Sequence, residues 1–125
     1  MKQSAVCGII VNDQILLLNR VGKIKGWCVP GGKSDDDEFP IDTAIRETYE
    51  ETSILISNPV FVGCDTSADD RYCVNIFFKK MDKKLNVITN ITEHSEYKWV
   101  KIDDINQLVL AGNTGNFINL ILDMI

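Results

Sequence analysis

The sequence predicts an α/β fold, an α/β/α sandwich around a mixed β-sheet, and three observations carry that expectation. Short runs of aliphatic and β-branched residues bounded by turn-formers recur along the chain, as strands require. A segment over about residues 40–52 places apolar and small residues on one helical sector and glutamates on the next. Near the end, Phe117, Leu120, Ile121, Met124 and Ile125 fall at helical spacing and read as a helix packed on the sheet. With 125 residues, 45% of them hydrophobic, the chain can build one core and is too short for two ordinary domains, so residues 1–125 are expected to form one domain.

Taken in order, Ala5–Val11 and Gln14–Arg20 read as strands joined at Asn12-Asp13. A glycine-flanked loop, Gly22 to Gly26, carries Lys23 and Lys25. Trp27 to Lys33 then reads as a short strand entering a glycine turn at Gly31 and Gly32. The acidic stretch Ser34 to Glu38 lacks the alternating oxygen ligands and central glycine of a calcium loop and is read as a solvated loop. Pro40 suits a first helical turn and Asp42 suits its positive end, which starts the helix near Phe39 to Ile41. Ile54–Val62 and Tyr72–Phe78 follow as strands, with a weaker one over Leu85–Ile91.

The first helix carries the chemistry. At about 100° per residue, Ile41, Ala44, Ile45, Thr48 and Thr52 share a core-facing sector, while Glu47, Glu50 and Glu51 share the adjoining one. Acids at these spacings repel by a few tenths of a kcal/mol per pair, and Arg46 is the nearby residue able to offset them. A divalent cation reverses the sign of that interaction, and hard cations commonly bridge carboxylates to phosphates. The acids alone fit a solvated glutamate-rich face equally well. Paired glycines let backbone N–H groups approach an anion, and Lys33 adds a positive charge beside them; a plain Pro-Gly turn is the simpler account of that segment by itself.

Together these residues resemble the Nudix hydrolases, whose signature is G-x5-E-x7-R-E-U-x-E-E-x-G-U, with U a bulky aliphatic residue. The match falls on Gly32, Glu38, Arg46, Glu47, Glu50, Glu51 and Ile54, with both internal gaps of the right length. Thr48 and Ser53 depart, standing where an aliphatic residue and a glycine are usual. The opening hairpin, and Glu93 to Val100 followed by residues 101–105, are similar to the family's first hairpin and to its penultimate strand and following helix.

The resemblance implies magnesium-dependent hydrolysis, with manganese able to substitute, of a nucleoside diphosphate linked to another group. Glu50 and Glu51 would carry the metal, Glu47 would be general base or a further ligand, Arg46 would orient the glutamates and Glu38 would support the site. Gly32 and Glu93 complete the implied metal set, with Glu96 the rival of Glu93. Arg20, Lys33 and Gly31 are the candidates for phosphate contacts. The MutT-type nucleoside triphosphate pyrophosphohydrolases are most similar, and there Asn113 would read the purine edge, unless it only caps the last helix. Tyr72 lies where dinucleoside polyphosphate hydrolases often stack a base. Nucleotide sugars such as ADP-ribose remain open, and a non-catalytic nucleotide-binding module is disfavoured because every metal-binding acid is present.

A net charge of −5 without a basic stripe argues against non-specific nucleic-acid binding, leaving a small nucleotide as the expected partner, with a homodimer allowed by the resemblance. Four cysteines without C-x-x-C spacing, and a single histidine, argue against structural zinc. That histidine, His94, is read as a surface residue. Reduced thiols, no recognisable signal peptide and no apolar run near the roughly 20 residues of a membrane span point to a cytoplasmic protein.

Overall fold

A computed structural model describes residues 1–125. Strand β1 (Lys2–Val11) turns at Asn12, whose φ is 54°, into β2 (Gln14–Arg20). The two are in register only at Ile10–Ile15 and Val11–Gln14, and beyond these pairs the hairpin opens. Residues 26–33 fill the fork: β3 (Gly26–Cys28) pairs antiparallel with β2, and β4 (Gly31–Lys33) pairs antiparallel with β1. Between them the Pro30 carbonyl, on a residue that has no N–H to give a ladder, accepts the Cys7 N–H at 2.9 Å.

Helix α1 (Pro40–Thr52) follows, then β5 (Val60–Thr66), β6 (Tyr72–Met81) and β7 (His94–Lys101). A 3-10 turn (Ile102–Gln107) and helix α2 (Thr114–Met124) complete the chain. The sheet runs β3-β2-β1-β6-β5, with β7 antiparallel to β2. It is mixed because β6 lies parallel to β1 over ten consecutive pairs, from Lys2–Tyr72 to Val11–Met81.

Period-two alternation in the central strands sorts the core into two layers. Ala5, Cys7, Ile9 and Leu16 pack with Ala44 of α1, together with Ile54, Ile56 and Phe77. Ile10, Ile15, Leu17, Val74 and Ile76 pack with Phe117, Ile118 and Ile121 of α2. Gly8 lets α2 approach β1, since a Cβ there would stand 2.8 Å from Ile121 Cδ1. No helix is long and apolar enough to cross a membrane.

Several expectations need correction. Strand β5 begins only at Val60: Ile54 and Ile56 are buried in irregular chain beneath α1. Residues 85–91 form no strand. There Val87 is buried in the α1-side core and the Ile88 N–H donates to the Thr52 carbonyl at 3.0 Å, so the segment docks on the helix end instead of a sheet edge. Ile41 is exposed although it shares a helical sector with buried Ala44, Thr48 and Thr52, because it lies in the first turn, before the helix reaches the sheet. Met124 and Ile125 are likewise exposed at the C-terminal end of α2, while Ile118, outside the expected set, is buried.

Candidate active site

Helix α1 enters without a side-chain cap at Phe39, and its start is fixed by the preceding loop. The Thr43 hydroxyl lies 2.7 Å from Ser34 Oγ and donates to Glu38 Oε1 at 2.7 Å, and the Asp35 N–H donates to the same oxygen at 3.0 Å. This loop brings Glu38 back over the helix to Arg46. The guanidinium donates to both Glu38 oxygens at 2.9 Å, to Glu47 Oε1 at 2.7 Å, to both Glu50 oxygens at 3.2 Å and to the Lys33 carbonyl at 3.0 Å. Arg46 therefore gathers carboxylates that would otherwise repel one another. Its hydrogen bonds are the main reason Glu38 is held down to about 2 from an ordinary 4.5, and the same bonds raise Arg46 further above its usual range.

The glutamates of the helix do not share one environment. Glu50 is exposed and engaged by Arg46. Glu51 is 5% exposed and accepts one hydrogen bond, from the Gly31 N–H at 2.9 Å; burial, the largest cause, pushes its carboxyl up to about 8. Burial also raises Glu47, against the lowering effect of Arg46. Gly32 makes room for Glu47, because a Cβ there would stand 2.5 Å from its carboxyl carbon.

The expected glycine turn is thus a strand. Gly31 to Lys33 pair with β1, and the Gly31 N–H is directed at a protein carboxylate, not outward to an anion.

A cleft of about 650 Å³ opens above the fork of the hairpin, where the two strands no longer cover one another. Gly31, Gly32, Glu47, Glu51 and Glu93 line its acidic side. Arg20, Lys33 and Arg71 also line it, as do Tyr72 and Asn113. The Lys33 ammonium lies 5.5 Å from the Tyr72 ring centroid, which couples a cation to an aromatic face. Glu38, Arg46 and Glu50 do not line the cleft; Arg46 ties the two glutamates to Glu47 and Lys33, which do. Of the two rival acids on the sheet side, Glu93 lines the cleft, whereas Glu96 lies elsewhere and accepts from Asn19 Nδ2 at 3.3 Å.

Asn113 occupies the N-cap position of α2, yet its side chain does not cap; its Nδ2 donates instead to the Thr66 carbonyl at 2.8 Å, tying the helix start to β5. His94 is not a surface residue. It is 4% exposed, with Nε2 3.7 Å from Cys28 Sγ, and a ring nitrogen and one oxygen each of Glu51 and Glu93 lie within 4.8 Å of one another. The available signal was its position opening a strand beside Glu93. Arg71 was also missed, and as a lone cation after Asp69-Asp70 it gave little to read. All four cysteines are free thiols.

Oxygen donors converging on a cleft that also carries cations fit a hard divalent metal between protein and phosphate. Buried Glu51, with a single N–H for company, is the residue that most needs a counter-charge.

Comparison with known proteins agrees with this geometry. The NUDIX domain model matches residues 1–120. An uncharacterized Nudix hydrolase of Bacillus subtilis is 30% identical over 93% of this chain and 76% of its own length. The mouse asymmetrical bis(5'-nucleosyl)-tetraphosphatase is 30% identical over 76% of this chain and 69% of its own. Other curated relatives are larger, and this chain spans as little as 17% and 10% of the length of two of them. Among solved structures, the NUDIX domain of Shewanella oneidensis NrtR, complexed with ADP ribose, superposes with a TM-score of 0.85 at 20% identity, covering 99% of this chain and 88% of that one.

Proposed function

We propose, from the premise that this chain belongs to the NUDIX domain family and is a hydrolase of pyrophosphate bonds, that its substrate is a nucleoside triphosphate, released as nucleoside monophosphate and pyrophosphate. The observation that carries this reading is the convergence of Glu47, Glu51 and Glu93 with Arg20, Lys33 and Arg71 on one cleft. Magnesium is the metal we assign: Glu51, Glu47 and Glu93 would hold it, with Glu50 kept near them by Arg46, and when bound it would neutralise the nonbridging phosphate oxygens and polarise the attacking water.

The chain's own residues do the rest. Arg46 fixes Glu47 and Glu50, so that little reorganisation remains at the moment of reaction. Glu47 accepts the proton of the attacking water as its oxygen bonds to phosphorus and the bridging P–O bond breaks. Lys33 and Arg20 hold the polyphosphate, and Arg71, from the turn before β6, extends the positive edge of the cleft. Tyr72 offers a face for the base. Asn113, its Nδ2 engaged with Thr66, keeps an acceptor oxygen for a base donor.

A second reading, a dinucleoside polyphosphate, is favoured by Tyr72 on the cleft wall and by the similarity to the mouse tetraphosphatase. ADP-ribose, the ligand of the Shewanella domain, is the third substrate to test. Incubation with nucleoside triphosphates, oxidised nucleotides, dinucleoside polyphosphates and ADP-ribose in Mg²⁺, with product identification, separates them. Nucleoside monophosphate plus pyrophosphate is expected. Binding of nucleotide and metal without turnover of any substrate would overturn the catalytic reading in favour of a binding module.

A further inference from the structure

The buried face of the cleft holds one group that the phosphate chemistry above does not use. His94 opens β7 opposite Arg20 of β2, its main chain anchored by the bond from its N–H to the Asn90 carbonyl at 2.9 Å. Its ring is 4% exposed, with Nε2 against Cys28 Sγ, and its equally buried Nδ1 has no hydrogen-bond partner. Buried polar atoms are nearly always paired, so an unpaired imidazole nitrogen calls for a physical explanation. Beside the imidazole ring stand Glu51 and Glu93, whose carboxylate oxygens and one ring nitrogen of His94 fall within 4.8 Å of one another. Ligands on opposite sides of one first-row ion stand about 4 Å apart, so small side-chain movements bring this trio onto a common ion.

The kind of ion follows from the donor set. Magnesium takes carboxylate, carbonyl and water oxygens, whereas the later first-row metals take imidazole well, and manganese accepts it more readily than magnesium does. An oxygen-only set gives a transition ion little advantage; a nitrogen beside two carboxylates gives it a substantial one.

We propose that His94 is a metal ligand, completing with Glu51 and Glu93 an inner subsite that takes a divalent transition cation, Mn²⁺ or Co²⁺, in preference to Mg²⁺. This rests on the reading of the acidic cleft as a cation site. It adds to that reading an imidazole ligand contributed from the strand side. Glu93 and His94, adjacent in sequence, then act together, and Cys28 serves to hold the ring.

The test is binding to the full chain, stripped with chelator and then titrated with Mn²⁺, Co²⁺ and Mg²⁺ separately. Pulsed electron paramagnetic resonance of the Mn²⁺-loaded wild type is expected to show ¹⁴N coupling from a directly bound imidazole. In His94→Gln that coupling disappears, and the ratio of the Mg²⁺ Kd to the Co²⁺ Kd falls at least tenfold. Mn²⁺ bound with no ¹⁴N coupling overturns the role of His94 and leaves the carboxylate site standing, and this wild-type measurement decides the matter even if the variant does not fold. A ratio unchanged in folded His94→Gln overturns it equally. Failure of all three ions to bind overturns the cation-site reading along with it.

Discussion

Glu51, unlike its exposed neighbour Glu50, places a carboxyl in the interior, and burial there bears on stability. Glu51 is buried and its carboxyl rises to about 8, above its ordinary 4.5, so between these values the folded protein holds a proton that the unfolded chain has lost. Metal-free stability therefore falls as pH rises from about 4.5 to about 8. Glu51→Gln keeps the acceptor for the Gly31 N–H and removes the buried charge. It is expected to flatten this dependence and to stabilise the metal-free protein at pH 8 by a few kcal/mol, read by urea unfolding in chelator at pH 5 and pH 8. Turnover should fall by orders of magnitude in Glu51→Gln and in Glu50→Gln. The two departures from the family's signature make a second residue-scale prediction. Thr48 is fully buried with no partner for its hydroxyl, and Ser53 sits in left-handed backbone at φ 63°. Thr48→Val and Ser53→Gly are each expected to stabilise by about 1 kcal/mol, the first by removing an unsatisfied polar atom and the second by removing a Cβ penalty. A lowered melting temperature in either variant would refute the corresponding account. At this scale the sequence was only partly legible: helical spacing grouped Glu47, Glu50 and Glu51, but only the position of Gly31 on β4 distinguishes buried Glu51 from exposed Glu50.

Arg46 and Glu38 join the acidic loop to α1, and this joint titrates. Glu38 is depressed to about 2, so its stabilising contribution is complete above its ordinary 4.5 and is lost as pH falls between these values. Glu38→Gln is expected to cost stability at pH 6 and almost none at pH 2, and equal losses at both would show that Glu38 contributes only packing. Asn113 makes a similar joint between α2 and β5, where Asn113→Ala is expected to cost about 1 kcal/mol for the lost bond to Thr66. Changed selectivity among nucleotides in the same variant would add a base-reading role, and unchanged ranking would exclude it. Elements with a periodic pattern and clear punctuation were legible: the hairpin around Asn12-Asp13, α1 after Pro40, and β6. Residues 54–59 and 85–91 were not, because their apolar residues cover the α1 layer from irregular chain and give the same local signal as a strand. His94 escaped for a related reason, since one buried histidine carries no periodicity.

For the whole molecule, metal and fold are linked, since a cation that binds only the folded cleft stabilises it by mass action. Saturating Mg²⁺ is expected to raise the melting temperature of the wild type and to raise that of Glu51→Gln by much less; equal shifts would place the ion elsewhere. The parallel pairing of β1 with β6 has a consequence of another kind. Lys2 meets Tyr72 and Val11 meets Met81, so the longest ladder in the sheet closes a loop spanning more than half the chain. Such closure must be made before its contacts reward it, which places this protein among the slower folders for its size. During synthesis every glutamate of α1 leaves the ribosome well before β6 exists to flank β1. The carboxylates are therefore present in the nascent chain long before the cleft, and a truncation ending before Tyr72 retains the acidic helix but lacks β6, Glu93 and Asn113, which complete the cleft.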